Sequence, residues 1–431
     1  MYITDKSIYE VPVPDMESSA GLCLTGVDRY GKAKTYVLPD RSVAFIGAPG
    51  FGKSTQLIKI YNQLRRNPNY INVVLDVKGE YLDKCYNPGD KVLSLYDIPG
   101  VNAKDQLRWN LLLEAMLDSH PENVVKKISH MIFDSSIQSS QSPVFPKAAM
   151  SVFYGELLYI LYEYRGKLLP STRDVIIKIE NTPDSQIIND VKRYEETFGF
   201  SNLLAEIKDS TSHGIRMELQ TTLSMAFPLG SNFCSPFNCN FSIREFVHEG
   251  KGKTLFLVYD LENKDSSENI IKLLLDLSLN EILSGSNLEK NDRERWNFFL
   301  DEYAYLPAGL TYLSHAKDLG RSKNLRIYAG FQTYSQLIEV YKGSEAAANN
   351  DIAGYASLIS FKTHDASTLD LITRLGGTEF QETTTIDALC NIHTEYKEMP
   401  VIPAEIFNEL KTGEAVIIPD QGRPFWFKFD K

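Results

Sequence analysis

Two short segments carry the residue types that phosphate chemistry needs. Residues 47–54 read GAPGFGKS, the spacing GxxxxGK[ST]. In such a loop the backbone N–H groups turn inward and cradle phosphate oxygens, which crowding side chains would prevent. Gly47, Gly50 and Gly52 supply the permissive backbone, and Gly47, Ala48, Pro49, Gly50, Phe51, Gly52, Lys53, Ser54 and Thr55 form the candidate nucleotide-binding set. Lys53 is placed to reach the β- and γ-phosphates, and the Ser54 hydroxyl to meet Mg²⁺. Residues 296–302 read WNFFLDE, an apolar run ending in two carboxylates. Asp301 is the second candidate metal residue, acting through water, and Glu302 the candidate general base that polarises the attacking water.

Two further residues join the catalytic candidates Lys53 and Glu302. Gln332, in GFQTYSQL, is placed to sense the γ-phosphate; a satisfied glutamine in a strand-to-helix turn is the competing reading. Arg321, in DLGRSKNLR, suits neutralisation of phosphoryl charge from a neighbouring subunit; an exposed arginine in a basic turn fits as well. The segment Asp76-Val-Lys-Gly-Glu80 sits where a strand should end, and orienting water, contacting a neighbour and ending the strand all remain open for it. Cys234, Cys239 and nearby His248 invite a zinc reading, but tetrahedral zinc wants four ligands and no second pair stands at suitable spacing, so free thiols are expected.

These residues need a scaffold. Residues 42–46 read as a buried strand running into the glycine loop, followed by a helix from Lys53 on which Leu57, Tyr61 and Leu64 share a face. It should end at Arg65-Arg66, basic residues suiting the negative helix end. A second strand, 71–75, finishes at Asp76. Strand, glycine loop, helix and strand open a doubly wound, mostly parallel α/β sheet. Before it, residues 1–40 form a lead-in with one extended segment at 35–38. From about Trp109 to Pro228 helical periodicity dominates, as in 148–164 and 187–207. Strand signals return at 254–259, and Asp265-Ser-Ser-Glu268 resembles a capping box opening an apolar helix over 269–283. Further strands are expected at 298–300, 326–329, 357–361, 415–418 and 424–429, the last two as a closing hairpin. Residues 345–350 read as a loop. The domain expectation is therefore a nucleotide-binding domain of 41–110 and 229–431 with an all-α insertion at 111–228.

The chain has 431 residues, 43% hydrophobic and 23% charged, with a formal net charge of −11. That charge argues against a surface coated for nucleic acid, though not against a narrow basic channel through an acidic ring. The five cysteines suit a reducing compartment. No signal peptide is read at the N-terminus. The most apolar run, 152–162, is interrupted by Glu156 and fits a buried helix better than a membrane span. A cytoplasmic protein, or one peripheral at the inner face of the cell membrane, is expected.

In their order, the motifs resemble the cytoplasmic ATPase of type IV secretion coupling proteins, the TraG/TraD-type DNA-transfer family within the FtsK–HerA group of motors. GAPGFGKST matches the family's first loop, and DVKGE its D-P-K-G-E with Val77 in place of proline. Trp109-Asn110 resembles W-N-P-L with Leu111 replacing proline. LDEYAYLP, GRSKNLRIYAGFQTYSQL and the closing VIPAEIFNELKTGEAVIIPDQGRPFWFKF also match. In ISFKTHDASTLDLITRLG, Ser367-Thr368-Leu369 departs from the family's Thr-Ala pair. The resemblance implies a RecA-like P-loop domain binding ATP and Mg²⁺ and an all-α domain that recognises the DNA–protein substrate, a relaxase or another secretion substrate. It also implies a homo-hexamer passing DNA through a central channel. The family normally begins with transmembrane helices, which this sequence lacks; a separate membrane subunit, a soluble variant or a trimmed chain would each account for that, and the starting Met1 favours a natural beginning.

Overall fold

The computed structural model describes residues 22–193, 209–237, 240–285, 294–306, 309–386 and 392–430. It comprises two compact units, Met1–Leu75 with Ser286–Lys431, and Asp76–Gly285.

The first unit is built on a sheet with the order Ala33–Val37, Cys23–Val27, Phe425–Phe429, Glu414–Ile418, Ser357–Ser360, Val43–Ile46, Leu325–Phe331, Arg295–Asp301, Tyr70–Asp76. From Ser357–Ser360 to Tyr70–Asp76 neighbouring strands are parallel; the remaining pairs are antiparallel. Every residue of Val43–Ile46 and of Leu325–Phe331 is buried, as strands covered on both faces require. The helix Lys53–Leu64 buries Leu57, Ile60, Tyr61 and Leu64, with the Tyr61 ring edge-on to Phe299 at 5.4 Å. At the sheet edge where the parallel strands begin, Asp40 pairs with Arg295 at 2.9 Å and Arg326 at 2.7 Å. Burial alone would raise the Asp40 carboxyl, but the Arg326 hydrogen bond and the charges of Arg295, Arg326 and Arg321 hold it below its ordinary value.

Register decides what the other edge holds. Ile46 lies opposite Phe331, and Gly330 opposite Asp301. The glycine loop, Gln332 and the two carboxylates therefore emerge level with one another from three adjacent strands, about 5 Å apart each.

The second unit pairs Lys91–Leu93 with Thr254–Val258 in parallel, and is otherwise dominated by helices, the longest being Pro121–Ser139, Val144–Glu163, Asp209–Ala226 and Lys264–Ser284. Trp109 and Asn110 act here as folding residues. The Trp109 indole donates to Glu114 at 3.0 Å and its ring stacks on Phe227. Asn110 caps the helix Leu111–Met116 by accepting from the N–H groups of Leu112 and Leu113. Asp76 likewise works locally: its carboxylate accepts from the Leu82 N–H at 2.8 Å, and Gly79 takes the positive φ of 73° that the turn requires. Within the chain, the Asp76 carboxylate thus holds the turn that leads from the strand into the helix Glu80–Cys85.

Val144–Glu163 is the one helix among the described residues long and apolar enough to cross a membrane, and 61% of its most apolar stretch is buried inside the protein. Within it Glu156 is fully buried, and neither carboxylate oxygen has a hydrogen-bond partner. Burial, reinforced by Asp190 and opposed by Lys178 and Arg216, lifts its carboxyl from 4.5 to about 7. A carboxyl raised in the folded state stabilises fully below its unfolded value, and loses that stabilisation as pH climbs through the folded value. We expect thermal stability to decline between pH 5 and pH 8 by about 3 kcal/mol from this residue alone, and Glu156→Gln to flatten that slope. An unchanged slope in melting curves of the variant would place the carboxyl elsewhere.

Several expectations are corrected. Residues 345–350 are not a loop but part of the helix Glu345–Ala353, capped by Ser344, whose side chain accepts from the Ala347 N–H. The apolar helix starts at Lys264, before the expected capping box, because Asp260 already closes the preceding turn by accepting from the N–H groups of Glu262 and Asn263; Glu268 instead accepts from the Tyr259 hydroxyl at 3.2 Å. The lead-in contains a second strand, Cys23–Val27, and Thr378–Ile386 pairs antiparallel with Ile392–Pro400 in a ribbon with no counterpart in the sequence reading. Of the helix expected over 187–207, Asp184–Val191 is described, and residues 194–208 lie outside the described residues. Cys239 also lies outside them, while Cys234 is buried.

Candidate nucleotide site

The loop after Val43–Ile46 owes its shape to glycine. Gly47, Gly50 and Gly52 hold φ of 144°, 81° and 116°, values that side-chain-bearing residues avoid. At Gly47 a Cβ would come within 2.8 Å of the Phe361 Cβ and 3.1 Å of the Lys362 carbonyl oxygen. Backbone bonds fix the loop from both sides: the Gly47 N–H donates to the Phe331 carbonyl at 3.3 Å, and the Ala48 N–H to Lys362 at 2.8 Å. Farther along, the Phe51 carbonyl accepts from the Gly413 N–H at 3.1 Å.

The helix Lys53–Leu64 begins at Gly52 with no side-chain cap and no acidic residue in its first turn. The first helical N–H groups have no intrahelical partners, and with the positive dipole end they make an anion site. Lys53 is buried, its ammonium folded back over the loop to donate to the carbonyls of Gly47 at 2.5 Å and Ala48 at 3.2 Å. A cation waiting in a glycine cradle at an uncapped helix start fits a bound polyphosphate. Ser54 and Thr55 occupy the same first turn.

Asp301 closes the strand Arg295–Asp301 and is buried. Its Oδ1 lies so close above Gly330 that a Cβ there would overlap it, and Leu57 of the loop's own helix bounds the same space at 3.2 Å. The carboxylate thus points to the face of the sheet that carries Lys53–Leu64. Glu302 follows in a left-handed conformation, φ 63°, which costs a non-glycine residue roughly 1–2 kcal/mol. Its N–H donates to the Gly330 carbonyl at 2.8 Å, and its carboxylate accepts from the Gln332 amide at 2.7 Å.

Four of the sequence candidates, Lys53, Asp301, Glu302 and Gln332, therefore stand at one sheet edge with the loop. Arg321 does not. It lies exposed in the turn leading into the strand Leu325–Phe331, near Asp40 and a strand's length, about 20 Å, from Gln332. Two contributors went unread in the sequence. Gly330 leaves the space that Asp301 occupies, and a glycine inside an apolar strand was a usable signal for such close approach. The Phe361–Lys362 backbone supports the loop through main-chain atoms, which no side-chain pattern announces.

Comparison with protein families matches residues 37–421 to the type IV secretion-system coupling protein DNA-binding domain. The chain belongs to this family. Among solved structures it is similar to the bacterial conjugative coupling protein TrwBΔN70 in its unbound form, with 20% identity, 91% of this chain and 85% of that chain covered, and a TM-score of 0.72. The plasmid coupling protein TrwB in complex with ADP and Mg²⁺ (20% identity, the same coverages, TM-score 0.60) and with a non-hydrolysable ATP analogue (20% identity, the same coverages, TM-score 0.66) share the fold. Comparison with curated proteins gives no match. As a coupling-protein relative, the chain has the RecA-like P-loop architecture: mixed α/β, with a mostly parallel sheet.

Proposed function

We propose that the protein is an ATP-hydrolysing motor that couples turnover to the movement of DNA in conjugative transfer. The observation that carries this reading is the convergence of Glu302, Asp301 and Gln332 on the edge that bears the Lys53 cradle. Family membership and the nucleotide complexes of TrwB support it. In this reading Lys53 turns its ammonium from the Gly47 and Ala48 carbonyls to the β- and γ-phosphates. Ser54 and Asp301 would hold Mg²⁺, which would supply neutralisation of charge on the phosphates. Glu302 accepts a proton from the attacking water as its oxygen bonds to the γ-phosphorus and the bond to the bridging oxygen breaks, giving ADP and phosphate. Gln332 leaves Glu302 for the γ-phosphate, so that triphosphate and diphosphate states differ at this edge.

Arg321, far from its own cradle, is proposed to act on a neighbouring subunit's nucleotide in a homo-hexamer with DNA in the channel. Residues 111–228 are proposed as the all-α segment selecting a relaxase or other protein cargo, and 41–110 with 229–431 as the motor domain, working at the cytoplasmic face of the membrane. The test is ATPase rate with single- and double-stranded DNA across a salt series. Stimulation by DNA that falls steeply as salt rises is expected, since phosphate contacts release counterions. Turnover indifferent to DNA at every salt, with no DNA binding, would replace the motor with a nucleotide-switched cargo receptor.

A further inference from the structure

The helix Glu345–Ala353 touches the segments behind both reactive residues. Tyr303, immediately after Glu302, is fully buried and its hydroxyl donates to Asp351. Tyr334, two residues after Gln332, donates from its hydroxyl to Asn349 at 2.7 Å. Residues two apart on a helix project about 200° from each other, so Asn349 and Asp351 serve opposite flanks, one for each segment. The flanks are themselves anchored. Arg374 donates to Asn349 at 2.7 Å. Lys317, its side chain wholly enclosed, pairs with the Asp351 carboxylate and donates to the Asp351 carbonyl at 2.6 Å. The ring of Tyr303 packs edge-on against Phe331, the residue before Gln332, at 5.8 Å.

We infer that Asp351 and Asn349 are positioning residues which, through Tyr303 and Tyr334, hold Glu302 and Gln332 at their working separation. Two physical points favour this over a merely structural cluster. A buried ion pair is a poor device for stability, since apolar replacements of similar volume are often as stable or more so. Glu302 also sits in a left-handed conformation, and such strain persists only where surrounding contacts over-determine it. Tyr303, next in sequence and pinned by its hydroxyl, supplies that constraint. The inference rests on the reading of Glu302 as the general base.

The experiment compares Tyr303→Phe, the double variant Lys317→Met with Asp351→Leu, Glu302→Gln, and Tyr303→Phe combined with Glu302→Gln. For each, kcat, MgATP affinity and Tm are measured. Tyr303→Phe should lower kcat by about tenfold or more while MgATP affinity stays within about twofold. Lys317→Met with Asp351→Leu removes both charges together but leaves the Tyr303 hydroxyl without its acceptor, so it should fold with a modestly lowered Tm and show the same loss in kcat. Added to Glu302→Gln, Tyr303→Phe should cost nothing more, the non-additivity of residues acting through one group. Normal kcat in Tyr303→Phe beside an inactive Glu302→Gln would overturn the inference and leave the base assignment standing. A full additional loss in the combined variant would likewise overturn it in favour of a structural role. An active Glu302→Gln would remove the base assignment, and the inference with it.

Discussion

Glu302→Gln is expected to retain MgATP binding and to lose turnover by about 10²–10⁴-fold, the range for removing a positioned general base. The substitution is close to silent in shape. A glutamine carbonyl oxygen can accept the Gln332 amide as the carboxylate does at 2.7 Å, and the Glu302 N–H keeps its bond to Gly330. What disappears is the capacity to take a proton from water. Single-turnover phosphate release, measured beside equilibrium binding of a fluorescent ATP analogue, separates the two quantities. Near-normal hydrolysis would remove Glu302 from the chemistry; loss of binding would make it a structural residue of the cradle.

Gly330→Ala is the second large expectation. The new methyl group falls on the Asp301 Oδ1 and within 3.2 Å of Leu57, in a strand buried at every residue. Overpacking of this kind costs typically 1–3 kcal/mol, so Tm should drop by several degrees. The larger effect should be functional, because the easiest relief is displacement of the Asp301 carboxylate from the face it shares with Lys53. The Mg²⁺ concentration for half-maximal ATPase should rise about tenfold or more, for a loss of roughly 1.4 kcal/mol in metal affinity. Wild-type Mg²⁺ dependence in a folded Gly330→Ala protein would mean that Asp301 does not face the metal.

Much of this edge was legible from residues because its chemistry is local. Glycines at fixed spacing, a lysine and serine at a helix start, and two carboxylates ending an apolar run can each be recognised over a few positions. Strand, loop and helix followed from the same stretch, since buried parallel strands are unbroken apolar runs. Tertiary relations were harder. The alanines and asparagines of Glu345–Ala353 show no strong apolar stripe, and the helix forms around Ala348, Asp351 and Ile352 buried against the unit, which the sequence could not announce. The Thr378–Ile386 and Ile392–Pro400 ribbon pairs nine residues on each side, but its polar, glutamate-rich strands lack the alternation that marks a half-buried sheet. The strand Cys23–Val27 is short and pairs with the far end of the chain, Phe425–Phe429. Arg321 shows the limit most clearly: its distance from the cradle comes from strand direction, and no residue type encodes that.

The most direct test of the nucleotide site is electron paramagnetic resonance of Mn²⁺ titrated into the protein with a non-hydrolysable ATP analogue. A single tight Mn²⁺ site per chain is expected, dependent on the analogue, lost on Lys53→Ala and weakened about tenfold by Ser54→Ala or Asp301→Asn, each removing one oxygen ligand or its supporting contact. Mn²⁺ binding that ignores the analogue, or that survives all three substitutions unchanged, would contradict the assembly of cradle and carboxylates into one site.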